Sequence, residues 1–126
     1  VYQKITIIGF LGSDPEKRYL SEGTAVTNFS VATNRKWDGG EETVWFRVST
    51  WNRLAENCYE YLEKGRKVFV EGRLKPGDDG NPRTWQDSQG RTRANFEITA
   101  HTVLFLGGGN NQTKAEEAEE ENEIPF

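Results

Sequence analysis

Two residue types that carry much of protein chemistry are almost missing from this chain. It has one cysteine, Cys58, and one histidine, His101. A single cysteine excludes an internal disulfide and fits a reducing compartment; Cys58 itself reads as a small buried hydrophobe. One Cys and one His cannot supply the ligands of an ordinary zinc site. His101 lies in an apolar, strand-like stretch and reads as structural, not as the partner of a cysteine nucleophile. Methionine is absent. No apolar run approaches the roughly 20 residues of a membrane span, and no signal-peptide pattern precedes Lys4. The expectations are a cytoplasmic protein without metal or cofactor.

What is present is aromatic and unevenly charged. Four of the 126 residues are tryptophan and 12% are aromatic. The net charge of −4 argues against a nucleic-acid partner until it is divided along the chain. Residues 107–126 hold one lysine and six glutamates, a net −5, whereas residues 1–106 hold 15 basic and 14 acidic residues, a net +1. The pI of 5.1 therefore describes a tail more than a body. The length suits one domain with a modest core.

The stretch Thr43–Trp51 reads as a strand rich in β-branched and aromatic residues. Val44, Phe46 and Val48 alternate with Thr43, Trp45, Arg47, Ser49 and Trp51, so two indoles and a guanidinium share the otherwise polar face. On its own this face is either a lid or subunit contact, or a stacking platform with Arg47 supplying charge.

Around it, residues 4–10 read as a first strand with a bend or bulge near Gly9 and Gly12, and Ser13–Glu16 and Ser21–Gly23 as turns. Residues 24–36 read as a second strand with Phe29 and Val31 facing the core. Residues 34–42 read as a polar loop turning at Asp38-Gly39-Gly40 and carrying Trp37. Asn52 reads as the N-cap of a helix reaching about Lys64, with Leu54, Ala55, Cys58 and Leu62 on its apolar stripe and Lys64-Gly65 as its stop. Residues 67–74 read as a fourth strand and 93–106 as a fifth. Between them, residues 75–92 are a long polar excursion, with room for a hairpin arm that carries Trp85 and turns near Gln89-Gly90. From Gly107 on, periodicity disappears and disorder is expected. Three strands, one helix and two strands is the order of the five-stranded OB-fold barrel. The expected architecture is thus an all-β domain with one helix over residues 1–106, followed by a disordered acidic tail over 107–126.

All four tryptophans avoid the core in this reading, and basic residues accompany them. Arg35 and Lys36 flank Trp37, Arg47 and Arg53 flank Trp51, and Arg83, Arg91 and Arg93 surround Trp85. Aromatic planes interleaved with cations suit an extended polyanion with stackable bases. Taken singly, Trp37 and Trp85 also fit as loop anchors. Glu123-Ile124-Pro125-Phe126, led by glutamates and ending in a free carboxylate, reads as a docking peptide; a frayed acidic end is the plain alternative.

The chain resembles the bacterial-type single-stranded DNA-binding proteins. The resemblance is carried by residues 9–19 (GFLGSDPEKRY), 29–33 (FSVAT), 45–48 (WFRV), 54–56 (LAE) with 61–65 (YLEKG), 70–74 (VEGRL) and the Ile124-Pro125-Phe126 tip. It implies a homotetramer of OB-folds with DNA wrapped around it, located with the nucleoid. It also implies non-catalytic protection of single-stranded DNA in replication, recombination and repair, and a tip that recruits enzymes of those processes. Family stacking positions fall on Trp37, Trp45, Trp51 and Trp85, the third being more often Phe. Family basic contacts fall on Arg18, Arg47, Arg53 and Lys64. Two departures stand out: a tail of only about twenty residues, and an extra segment, 76–82, that bears on the geometry of the Trp85 arm.

Three rivals differ in what they require. A carbohydrate-binding module would also stack on indoles, but it predicts secretion and has no need of clustered cations. A nuclease needs a carboxylate cluster or a nucleophile–base pair, and the acids here are scattered. An RNA-binding or primosome-accessory OB protein is nearest, and the Ile-Pro-Phe tip favours DNA over it.

Overall fold

The computed structural model describes residues 1–106. The expectations for residues 107–126, the disordered tail and its Glu123–Phe126 tip, lie outside the described residues. Eight strands and one helix follow in the order β1 (Ile5–Leu11), β2 (Glu16–Tyr19), β3 (Ala25–Trp37), β4 (Gly40–Trp51), α1 (Asn52–Tyr61), β5 (Lys67–Leu74), β6 (Thr84–Gln86), β7 (Thr92–Ala94) and β8 (Phe96–Leu106).

The main sheet runs β1-β5-β8-β4-β3-β2, and an added β1–β3 pairing closes it into a five-stranded barrel. All its pairings are antiparallel except β4–β8. This is the OB-fold barrel that the element order foretold. Closure brings backbones close: a Cβ at Gly9 would sit 2.2 Å from the carbonyl oxygen of Ala32, so only glycine fits at that seam. Val31, Val48, Val68, Val70 and Ile98 fill the interior, with Phe29, Ile7 and Leu11 around them and Phe46 packed against them.

The helix plugs the barrel with Cys58, and with Leu62 just past its end, while its Ala55 is also fully buried. Thr27 Oγ1 donates to the Ala55 carbonyl (2.7 Å), and Thr50 Oγ1 donates to that of Thr27 (2.8 Å), so the buried hydroxyls are satisfied and lock α1 onto β3 and β4. Asn52 is not the N-cap. Trp51 holds that position with no side-chain cap bond, and Asn52 takes φ 58°, a left-handed conformation that Asn tolerates better than most residues. The helix ends at Tyr61, three residues earlier than expected, when the Leu62 N–H bonds back to the Cys58 carbonyl.

Three other expectations change. Residues 34–42 are not a loop. β3 and β4 continue as a projecting hairpin to a two-residue turn, with Gly39 at φ 94°. Its polar residues do not alternate because both faces meet solvent; cross-strand pairs hold it instead. The segment after Pro15 contains β2, a short charged strand at the sheet edge. The fifth barrel strand begins at Phe96, and Arg93 belongs to the separate β6–β7 ribbon, the hairpin arm anticipated around Trp85. The extra segment closes on itself, Gly77 N–H to Asn81 O (2.8 Å) and Gly80 N–H to Gly77 O (3.1 Å). It thereby returns the chain to the barrel just before the ribbon. Among the described residues no helix is long and apolar enough to cross a membrane.

Candidate nucleic-acid interface

Strand parity sets the centre of the site. On β4, Val48 is buried and Phe46 half-buried, while Trp45, Arg47 and Trp51 stand exposed on the opposite side. The β3 register places Ala32 beside Trp45 and Ser30 beside Arg47. These short neighbours leave the indole and guanidinium clear of the surface. Trp45 is 53% exposed, yet seated: a Cβ on Gly12 would lie 2.4 Å from its Cζ3, so the ring rests on the Gly12 backbone. Trp51 is less open, at 37%, beside Val26, which in turn pairs with Arg18 on β2. Arg53 follows in the first turn of α1, exposed. Lys64 is exposed in the α1–β5 connection, where Gly65 N–H bonds the Leu11 carbonyl, one residue from Gly12.

The other two indoles stand on projections. Trp37 ends β3, half exposed, with Gly40 under its ring and the Arg35 guanidinium 5.0 Å from its centre. By strand parity Arg35 and Trp37 lie on the side of β3 opposite to Ala32 and Ser30. Trp37 and Trp45 therefore occupy different faces of the hairpin. Trp85 lies on the β6–β7 ribbon directly opposite Arg93. The ribbon joins the barrel at Arg83, whose Nη2 donates to Glu97 Oε1 at 2.7 Å.

The candidate cations divide into two classes. Arg35 is bound to Glu42 (2.9 Å), Lys36 to Glu41 (3.7 Å), Arg83 to Glu97 (2.7 Å), and Arg91 and Arg93 both to Asp87 (3.1 and 3.0 Å). Arg18, Arg47, Arg53 and Lys64 have no ion-pair partner among the described residues. Arg47 stands beside Glu97 across the β4–β8 pairing, but that carboxylate, nearly buried, is taken by Arg83. The Asp87 carboxyl is held below the ordinary aspartate value, first by the Arg91 backbone N–H and then by the Arg93 guanidinium.

Sequence reading missed several members of this surface. Phe10 lies beside Ala32 on the face that carries Trp45, exposed, with the Lys67 ammonium 5.8 Å from its ring centre. Its place in a strand that otherwise feeds the core concealed it. Gly12 gave no signal as the seat of an indole. Glu97 and Asp87 looked like scattered acids, yet Glu97 binds one arginine and Asp87 two. Burial pushes the Cys58 thiol up to about 12, so it stays protonated, and His101 is exposed on β8 against Thr102. Among the described residues no three His, Cys, Asp or Glu side chains group to hold a metal ion.

A model of the single-strand binding protein family matches residues 2–106. Two curated relatives from Neisseria meningitidis, one of serogroup A and one of serogroup B, both called single-stranded DNA-binding protein, are each 38% identical to this chain over 115 residues. The match covers 87% of this chain and 63% of theirs, so the chain spans less than two thirds of the length of these relatives.

Proposed function

The chain belongs to the single-strand binding protein family, and on that premise we propose that it binds single-stranded DNA with little regard to sequence, protecting it without catalysis. The observation that carries this reading is the pair Trp45 and Arg47, an open indole and a guanidinium with no ion-pair partner among the described residues, on one rigid strand face with short neighbours. Bases stack on the indole whatever their identity, and the cation meets phosphate. Trp51 with Arg18 and Arg53 extends the path along β4; Trp37 and Trp85, with Arg35, Lys36, Arg83, Arg91 and Arg93, reach strand segments that leave it; Lys64 adds charge near Gly12.

One nearly neutral domain holds DNA weakly, and several copies on one strand gain by effective concentration. A homo-oligomer, a tetramer by family resemblance, follows. Supporting it, Ile8, Phe69 and Leu104 line up across β1, β5 and β8 as an apolar row, with Leu104 half exposed. In the same reading Glu123, Ile124, Pro125 and Phe126 dock replication, recombination and repair enzymes, and the protein works in the cytoplasm at the nucleoid. The support for the tip is its sequence alone.

Titration with oligo(dT) of graded length, followed by tryptophan fluorescence and light scattering, tests the core of this. Strong quenching with a fixed site size per oligomer is expected. No quenching, together with unchanged affinity in Trp45→Ala, would refute the stacking mechanism.

A further inference from the structure

The turn of the β6–β7 ribbon contains an acid where a polyanion-binding arm should least tolerate one. Asp87 divides its work between its two oxygens. Oδ1 accepts from the backbone N–H groups of Gln89 (2.9 Å) and Arg91 (3.0 Å), which is all that the turn requires of it. Oδ2 serves no backbone group. It accepts from the Nε–H of Arg91 (3.1 Å) and the Nε–H of Arg93 (3.0 Å).

We propose that Asp87 is a positioning residue for DNA, holding Arg91 and Arg93 by their Nε–H groups so that their terminal amino groups are fixed on the face of the ribbon where Trp85 stands. The proposal rests on the single-stranded DNA reading above. The alternation of the ribbon puts Trp85, Asp87, Arg91 and Arg93 on one side, and Trp85 and Arg93 face each other across the pair. The carboxylate lies beneath the cations: its side chain is 16% exposed against 59% and 49% for the two arginines. A phosphate arriving at this face meets the guanidinium edges that Asp87 leaves unused. Two flexible side chains beside a stacking ring are thus ordered before DNA arrives, which lowers the entropy lost on binding.

The two oxygens make the idea separable from the turn. Asp87→Asn keeps an Oδ1 acceptor for Gln89 and Arg91 and replaces Oδ2 with an amide donor that cannot hold a guanidinium. Removing a negative charge should by itself tighten DNA binding. Positioning has the opposite sign: Asp87→Asn should weaken oligo(dT) binding about three- to tenfold, and should no longer weaken it, leaving only the tightening due to lost charge, when added to Arg91→Gln/Arg93→Gln. In the full wild-type chain, the Nε–H resonances of Arg91 and Arg93 should exchange slowly with solvent and lose that protection in Asp87→Asn. Affinity equal to or tighter than wild type in Asp87→Asn, or fast-exchanging Nε–H groups in the wild-type protein, would overturn the proposal. If wild type itself fails to bind oligo(dT), the functional reading falls and this falls with it; if wild type binds and Asp87→Asn binds as well, this alone falls.

Discussion

The β4 face and the two projecting ribbons carry the same side-chain types under different electrostatic conditions. On the barrel, Arg47 has no ion pair among the described residues and stands beside an indole seated on Gly12. On the β3–β4 tip, Arg35 and Lys36 are matched with Glu42 and Glu41, and Asp38 leaves residues 35–42 with a net −1. On the β6–β7 ribbon the arginines are tied to Asp87 and Glu97. In the proposed reading, the barrel cations without an ion pair among the described residues are the ones that attract phosphate. In that reading the β3–β4 tip offers mainly the stacking surface of Trp37, because Asp38, Glu41 and Glu42 outweigh its two cations. Clustering of Arg and Trp in sequence is therefore not the same as a positive surface.

Truncating the central stack tests this ranking most severely. Stacking contributes about 1–3 kcal/mol per base, so Trp45→Ala should lower oligo(dT) affinity roughly ten- to a hundredfold. Trp37→Ala, on the other face of the hairpin, should lose less. Fluorescence anisotropy at one salt concentration compares them, and a larger loss in Trp37→Ala would reverse the roles assigned to barrel and arm. Gly12→Ala approaches the same point without removing the ring. Its methyl would drive into the Trp45 indole; because that half-exposed ring can swing aside, the expected loss of stability is small, about 0.5 kcal/mol, with a smaller fall in affinity than Trp45→Ala. Urea unfolding and the same anisotropy assay check both; an unshifted Trp45 resonance would show that the glycine does not seat it.

How much of this could be read from residues alone follows the physics of each segment. The β4 centre was legible because one of its faces is buried, so Val44, Phe46 and Val48 alternate with Trp45, Arg47 and Ser49. The β3–β4 tip was not, because a ribbon wet on both sides needs no alternation; its ladder depends on Arg35 meeting Glu42, and that pairing depends on register. Asn52 carried a cap signal, but the chain spent its tolerance of a left-handed φ instead. The indoles and cations of the site were legible by type. Their division into free and held was not, since Glu97 reaches Arg83 across 14 residues of sequence, and Asp87 meets Arg93 only across the folded ribbon.

Salt dependence separates free from held cations directly. Each phosphate neutralised on a single strand contributes about −0.7 to the slope of log affinity against log salt. Arg47→Gln should flatten the slope by roughly that amount. Arg35→Gln should flatten it less, because its guanidinium is already neutralised by Glu42 and the exposed pair itself contributes only about 0–1 kcal/mol. Equal changes in the two variants would mean that the Glu42 pair dissolves freely when DNA binds, and the contrast between barrel and tip would vanish.

Acid should act on the ribbon and leave the β4 face alone. The folded-state value of Asp87 lies below the ordinary 3.8 because the Arg91 N–H and the Arg93 guanidinium favour the carboxylate. The stabilisation is therefore fully present above the unfolded value and is lost as pH falls through the lower folded one. The ribbon should hold unchanged from neutral pH down to about 4 and loosen only below. Trp45 rests on a glycine backbone, and the Arg47 beside it has no carboxylate partner among the described residues, so no acid in that pair titrates. Indole N–H resonances followed by NMR, over the range where barrel amides stay in place, should show Trp85 moving below the ordinary carboxylate value and Trp45 still. A midpoint for Trp85 at or above that value would mean that Asp87 is not held by its arginines in solution, and the ribbon would then be as loosely ordered as its exposure alone suggests.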